Sequence, residues 1–360
     1  MGNNNNKSNS MMKNNDTNIN MGNNNNKSNS MMKNNDININ NCYINSSLQT
    51  LLHLEEFITD VRSIYIKKDK EEKMKLTLEF KKLINQYLKE NILKTIDPLE
   101  IKKILSEVNE KYKTNHQQDA NEFITFFLNQ MMDEVKGFGI NNIKPINPPT
   151  DEKGKAAFEK LEDNFFTKKK SFLIDLFYGR LKKEILCPKD HVIKVSFEVY
   201  NMIQLPNIDD TKINDKMGCP IEEYLREFQE KRIIQGQIEC NECHKSDIYY
   251  SKTTIYNFPY YIILLLNNQS IKYNEHFTIE VINYIESENQ KKEKYELVGV
   301  IGYYGNYKRG HYFSKCKLNE NKWVYYHSDK YVTEKNYLRI NNTDAILFYQ
   351  KVKTDESNNE

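Results

Sequence analysis

The chain has 360 residues, and its 52 lysines and arginines against 50 aspartates and glutamates leave a formal charge of +2. A balance this near zero gives no electrostatic case for nucleic acid or an anionic membrane surface. No apolar run approaches the roughly 18–20 residues of a membrane span.

Residues 1–20 and 21–40 are tandem copies, MGNNNNKSNSMMKNNDTNIN and MGNNNNKSNSMMKNNDININ, differing where Thr17 becomes Ile37. An Asn-rich segment buries too little apolar area to offset chain entropy, so disorder is expected over 1–40. The same holds for the polar tail at 353–360. There is no apolar signal-peptide core, and Asn6 stands where a myristoylation signal needs Ser or Thr. An intracellular protein is expected.

From Cys42 to about residue 130 the apolar spacing is helical. Leu48, Leu51, Leu52 and Phe57 share a face; Leu76, Phe80, Leu83 and Leu88 mark a second helix. Ile101, Ile104 and Val108 follow Pro98, which suits a helix start. Phe123, Phe126, Phe127 and Met131 form a further stripe. Residues 134–170 hold Gly137, Gly139, Pro145, Pro148, Pro149 and Gly154 and read as a loop or insertion. After Phe177 the texture turns to strands. ILCPKDHVIKVSFEVYNMIQL, IYYSKTTIYNFPYYIILLL, YELVGVIGYYG, GHYFSKCKL and KWVYYHSD carry β-branched and aromatic residues between turn signals. Helices first and strands second make an α+β fold, with a site expected where the halves meet.

Six cysteines without a secretion signal point to reduced thiols, used for metal or catalysis rather than disulfides. Cys42 opens a helix, where free N–H groups and the dipole favour the thiolate. A small buried core residue is the plain alternative. A nucleophilic thiol also needs a base. His311, in RGHYFSK, is a candidate, though a histidine in a sheet can equally be a satisfied core residue. Ser328 and Asp329, near the end of a strand, can orient an imidazole or merely form a turn. Cys240-Asn-Glu-Cys243 has the spacing of a tetrahedral zinc knuckle, and Cys187 with His191 supplies a second pair about 50 residues upstream. Four protein ligands would close the site, making a Zn²⁺ there structural. His244 is a further candidate ligand.

In this order the pieces resemble the ubiquitin-specific protease family of deubiquitinases, papain-like thiol isopeptidases. NNCYINSSLQTLLHL resembles its cysteine box. The stretch from TIDPLEIKK to NHQQDANEF resembles the segment ending in its Gln-Gln-Asp-Ala-x-Glu-Phe motif. YELVGVIGYYGNYKRGHYFSK and KWVYYHSDKYVT resemble its histidine box. The resemblance covers about residues 38–350 and implies a catalytic domain over 41–352. A helical thumb would span about 41–130, and a β-sheet palm with zinc-bearing β fingers about 171–352. It implies Cys42 as nucleophile, His311 as base, and Gln118, Asp119 and Glu122 holding ubiquitin's basic tail. The implied partners are ubiquitin and its conjugates, with no nucleic acid, no membrane and no catalytic cofactor; the chain is expected to act as a monomer.

Three positions depart from the family pattern. Ile37 occupies the place of the oxyanion asparagine, five residues before the cysteine, and a one-residue shift would bring in Asn38. The third triad position falls on His327 counting from Trp323, or on Ser328 and then Asp329 counting back from Val332; the second register is preferred. The first zinc pair is Cys-x-x-x-His. These departures leave a catalytically weak or dead ubiquitin-binding scaffold as the alternative.

Overall fold

Cys42 opens the first helix of the computed structural model, α1 (Cys42–Leu51). The residues described are 40–89, 97–139, 145–208, 220–266, 278–282, 292–306, 309–319, 322–327, 330–335 and 343–353. The duplicated segment, except Asn40, lies outside them. Along α1, Tyr43, Ile44, Leu48 and Leu51 are buried, while Ser46, Ser47 and Thr50 fold their hydroxyls onto carbonyls of the preceding turn. Those self-satisfied small side chains allow a close approach to the sheet.

Phe57 shares the buried face but sits in a separate helix, α2 (Glu55–Ser63). Next come α3 (Lys75–Lys89), α4 (Leu99–Val108) and α5 (Ala120–Glu134). In α3, Leu76, Phe80, Leu83 and Tyr87 are buried and Leu88 is exposed. The buried set steps by three and four residues, and Leu88 falls off it. In α4 the same rhythm buries Ile101 and Leu105 and leaves Val108 out. Asp119 caps α5, its carboxylate accepting from the Asn121 N–H at 2.8 Å. Glu134, at the far end of α5, accepts from the Leu76 and Thr77 N–H groups at 3.1 and 2.7 Å. It thereby satisfies free donors at the start of α3.

The stretch expected as a loop holds a helix, α6 (Glu152–Leu161), followed by a π-helical turn over Glu162–Phe166. Asp151 caps it through the Gly154 N–H at 2.6 Å, and Phe158 packs edge-on against Phe197. Gly154 and the flanking lysines masked the Phe158–Leu161–Phe165 stripe in the sequence. Arg180 ties this insertion down: its guanidinium lies 3.5 Å over the Phe166 ring and donates to both carboxylate oxygens of Glu162.

After the short helix α7 (Phe172–Phe177) come β1 (Gly179–Leu186), β2 (Val192–Tyr200), β3 (Ile203–Gln204) and α8 (Ile221–Phe228). Then follow β4 (Arg232–Cys240), β5 (His244–Asn257), β6 (Tyr261–Leu265), β7 (Thr278–Ile282) and β8 (Lys292–Asn306). The last are β9 (Arg309–Asn319), β10 (Lys322–His327), β11 (Lys330–Lys335) and β12 (Asp344–Lys351). One antiparallel sheet has the order β2-β1-β5-β4; the other runs β11-β10-β9-β8-β12-β6-β3, with β7 also paired to β8. Its central strands β6, β8 and β12 are buried on both faces. Tyr261, Ile263, Ile346 and Phe348 meet the helical layer, while Ile262, Leu264, Leu347 and Tyr349 join the core beneath α8. This explains the unbroken apolar run YYIILLL, since both faces of the pleat need apolar side chains. A Cβ at Gly299 would come within 2.7 Å of Thr50, so glycine there lets α1 lie on β8.

Candidate active site and metal centre

α1 docks across β8 and β9, which brings Cys42 to the backbone of Tyr312, the residue after His311. Burial raises the Cys42 pKa; backbone groups of Tyr312, Tyr43 and Cys42 itself pull it down without overcoming that burial. The thiolate favoured by a helix start is therefore not the resting form in the free protein. A base must take the proton.

His311 faces Tyr304 across the β8–β9 ladder, with ring centroids 5.5 Å apart. Burial lowers its pKa, and the neighbouring His327 adds to the shift, so its neutral, basic form dominates at pH 7. His327 lies at the end of β10, its ring 4.7 Å from that of His311. Its Nε2 is 2.6 Å from the Tyr304 hydroxyl. Asn38, Ser328 and Asp329 lie outside the described residues.

Immediately before His311, the Gly310 N–H donates to Gln117 Oε1 at 3.3 Å, tying the QQDANEF segment to β9. The Tyr303 side chain covers Gly310 so closely that a Cβ there would collide with it. The sequence leaves open whether that glycine admits substrate or another part of the chain; Tyr303 fills the space. Gln117, Gln118, Asp119, Tyr303, Tyr312 and Leu265 are among the residues lining an open cleft of about 480 Å³. Glu122, one turn into α5, is ion-paired with Lys111.

One buried lysine escaped sequence reasoning. Lys102 Nζ on α4 donates to Asn41 Oδ1 at 3.0 Å, directly ahead of Cys42. Burial lowers its pKa. In IKKIL it reads as an ordinary solvated charge, and nothing local marks it.

At the other end of the four-stranded sheet, the β1–β2 and β4–β5 turns meet because β1 pairs with β5. Their tips bring Cys187, His191, Cys240 and Cys243 together, one ligand atom from each lying within 4.8 Å of the others. Cys187 Sγ and Cys243 Sγ are 3.8 Å apart, and His191 Nδ1 is 3.1 Å from Cys243 Sγ. Zn–S bonds of about 2.3 Å at tetrahedral angles separate sulfurs by about 3.8 Å. The donor set and its spacing fit a metal ion. His191 completes the cluster and His244 stays outside it. Asp190 adopts a left-handed φ of 63°, which turns the longer Cys-x-x-x-His loop back on itself. Cys316 is a free thiol buried in the core.

The nucleophile candidate, the Gln-Gln-Asp segment and the histidine strand thus converge from three distant parts of the chain. A family profile for ubiquitin carboxyl-terminal hydrolases matches residues 34–349. The chain belongs to this family. Ubiquitin carboxyl-terminal hydrolase Usp2 of Drosophila melanogaster is 25% identical over 335 residues, covering 86% of this chain and 34% of that protein. Ubiquitin carboxyl-terminal hydrolase 4 of Saccharomyces cerevisiae is 26% identical over 365 residues, covering 87% and 38%. The chain thus spans little more than a third of the length of these relatives. Among solved structures it resembles a chain of the SAGA DUB module of Ubp8, Sgf11, Sus1 and Sgf73 bound to monoubiquitin. The TM-score is 0.64 at 18% identity, over 89% of this chain and 69% of that one, a likeness of fold. Among the described residues no helix is long and apolar enough to cross a membrane.

Proposed function

We propose that the chain is a thiol-dependent deubiquitinase, hydrolysing the isopeptide or peptide bond after the C-terminal glycine of ubiquitin. One observation carries the reading. Cys42, at the first position of α1, rests on the backbone of Tyr312, which follows a neutral His311 along β9 and lines the cleft shaped by the Gln-Gln-Asp segment.

In this reading ubiquitin's tail lies in the cleft against Gln118 and Asp119, whose carboxylate suits a basic tail. Glu122 adds to that charge by exchanging Lys111 for an arginine of the tail. His311 removes the thiol proton, and Cys42 attacks the glycine carbonyl. Donors at the start of α1, with Asn38 as the side-chain donor, stabilise the oxyanion. His311 returns the proton to the leaving amine. It then activates the water that cleaves the thioester acyl-enzyme. Counting back from Val332 offers Ser328 and Asp329 as the position that orients His311. Cys187, His191, Cys240 and Cys243 would hold a structural Zn²⁺, which cross-links two hairpin tips and takes no part in the reaction. The protein acts as an intracellular monomer.

Ubiquitin carrying a thiol-reactive C-terminal warhead tests this. A covalent adduct that is absent in Cys42→Ala is the expected result. Folded, metal-loaded protein that binds ubiquitin yet forms no adduct would favour the non-catalytic scaffold instead.

A further inference from the structure

Three side chains on adjacent strands form a contiguous set: Tyr304 on β8, His311 on β9 and His327 on β10. The strand order places β9 between the other two. Tyr304 and His311 are direct partners in the β8–β9 ladder. His327 meets both, through ring contact with His311 at 4.7 Å and the 2.6 Å bond to the Tyr304 hydroxyl. Phe313 and Tyr325, with ring centroids 5.2 Å apart, support the same face from below. Gly302 gives the Phe313 ring its room, since a Cβ there would fall within 2.1 Å of it. The face is therefore built around the two imidazoles.

We propose that His327, held by its hydrogen bond to Tyr304, is the positioning residue of His311. The inference rests on His311 being the base. When Tyr304 oxygen accepts from Nε2–H of His327, Nδ1 is left as an acceptor directed by a ring already in contact with His311. A neutral imidazole can steady an N–H of His311 but cannot neutralise the imidazolium as a carboxylate would. Among the described residues, the groups able to titrate around His311 include Cys42 on α1, Tyr303 and Tyr304 on β8, Tyr312 on β9 and His327 on β10, with Asp119 at the start of α5 beyond Tyr312.

The sign of the pH effect follows. Burial and the His327 ring both disfavour protonated His311, so the acid limb of thiol reactivity lies below that of an ordinary imidazole. Removing His327 lifts one of these restraints and moves the limb to higher pH. A carboxylate in its place moves it further the same way.

Alkylation of Cys42 by iodoacetamide across pH needs no ubiquitin and reads the thiol–imidazole pair directly. Turnover of a fluorogenic ubiquitin C-terminal amide is measured alongside it. His327→Ala is expected to lower kcat about 10- to 100-fold, less than the whole contribution of a general base, with little change in KM, and to raise the acid limb. His327→Asn, which keeps a planar acceptor and guards against a disturbed β10, recovers part of kcat. His327→Asp raises the limb most. Neither Ser328→Ala nor Asp329→Ala moves the alkylation profile as far as His327→Ala does. An alkylation profile unmoved in the Ala and Asn variants, with Ser328→Ala or Asp329→Ala moving it instead, overturns the assignment. If wild type never reacts with the ubiquitin probe while the His327 variants still shift the alkylation profile, the substrate reading fails and this inference stands.

Discussion

His53 lies half-buried where three elements meet. Its Nδ1–H donates to the Gln49 carbonyl at 2.8 Å, and Tyr87 on α3 and Tyr326 on β10 bring hydroxyls to Nε2 at 3.1 and 3.2 Å. Burial outweighs the Gln49 bond and pushes its pKa down from 6.5 to about 4. Between those values the unfolded chain binds a proton that the folded one refuses. Stability therefore falls as pH drops through that window, by roughly 3 kcal/mol at most. Chemical unfolding at pH 7 and pH 4.5 should show a smaller acid loss in His53→Gln than in wild type. Equal losses would place the acid sensitivity elsewhere. Tyr326, which holds His53, directly precedes His327, so adjacent residues of β10 serve opposite faces of the sheet. The role of His53 was not visible in LLHLEEF, whereas counting from Trp323 reached His327 as one of two candidate positions. The partners of His53 are 34 and 273 residues away, beyond any local pattern.

The two hairpin tips that meet at Cys187, His191, Cys240 and Cys243 have only two strands, β1 and β5, pairing between them. A metal bound there joins turns that backbone hydrogen bonds leave apart. At about 1,000 times its Kd a ligand adds about 4 kcal/mol to folding. Stripping the metal with a chelator should lower the melting temperature and weaken binding of intact ubiquitin. Cys42 alkylation should stay near its untreated rate, because α1 and β9 carry that reactivity. Cys240→Ser should reproduce the chelator's effect. Loss of alkylation in step with the metal would show that the tips hold the nucleophile's own layer in place. This centre was legible because four ligands at fixed spacings state their chemistry locally. α1 and α5 were legible too, through stripes of leucine and phenylalanine. α6 was not, because a glycine and lysines in its first turns hid an apolar stripe that only β2 completes. The Lys102–Asn41 contact lay hidden for the same reason as His53. A buried charge is recognised by its partner, and the partner is on another element.

The whole molecule places its candidate nucleophile and base on different layers. Cys42 belongs to the helical layer and His311 to the large sheet, so their relation depends on how α1 seats against β8 and β9. That seating is set by one of two cores. Leu48 lies in the core shared by the helices and the near face of the sheet, whereas Leu347 lies in the core between the far face and α8. Both are completely buried. Leu48→Ala and Leu347→Ala should each cost about 2–5 kcal/mol, the usual toll of a cavity where a leucine stood. Their effects on chemistry should differ. A cavity under α1 lets the helix settle and moves Cys42 relative to His311, and displacements of this kind can cost about 100-fold in rate. A cavity on the far face leaves that relation alone. Measured well below both melting temperatures, with the folded fraction matched by circular dichroism, Leu48→Ala should lose kcat and slow Cys42 alkylation, while Leu347→Ala keeps both. The same loss in both variants would mean that the sheet transmits the disturbance across its thickness, and that α1 has no privileged hold on the site.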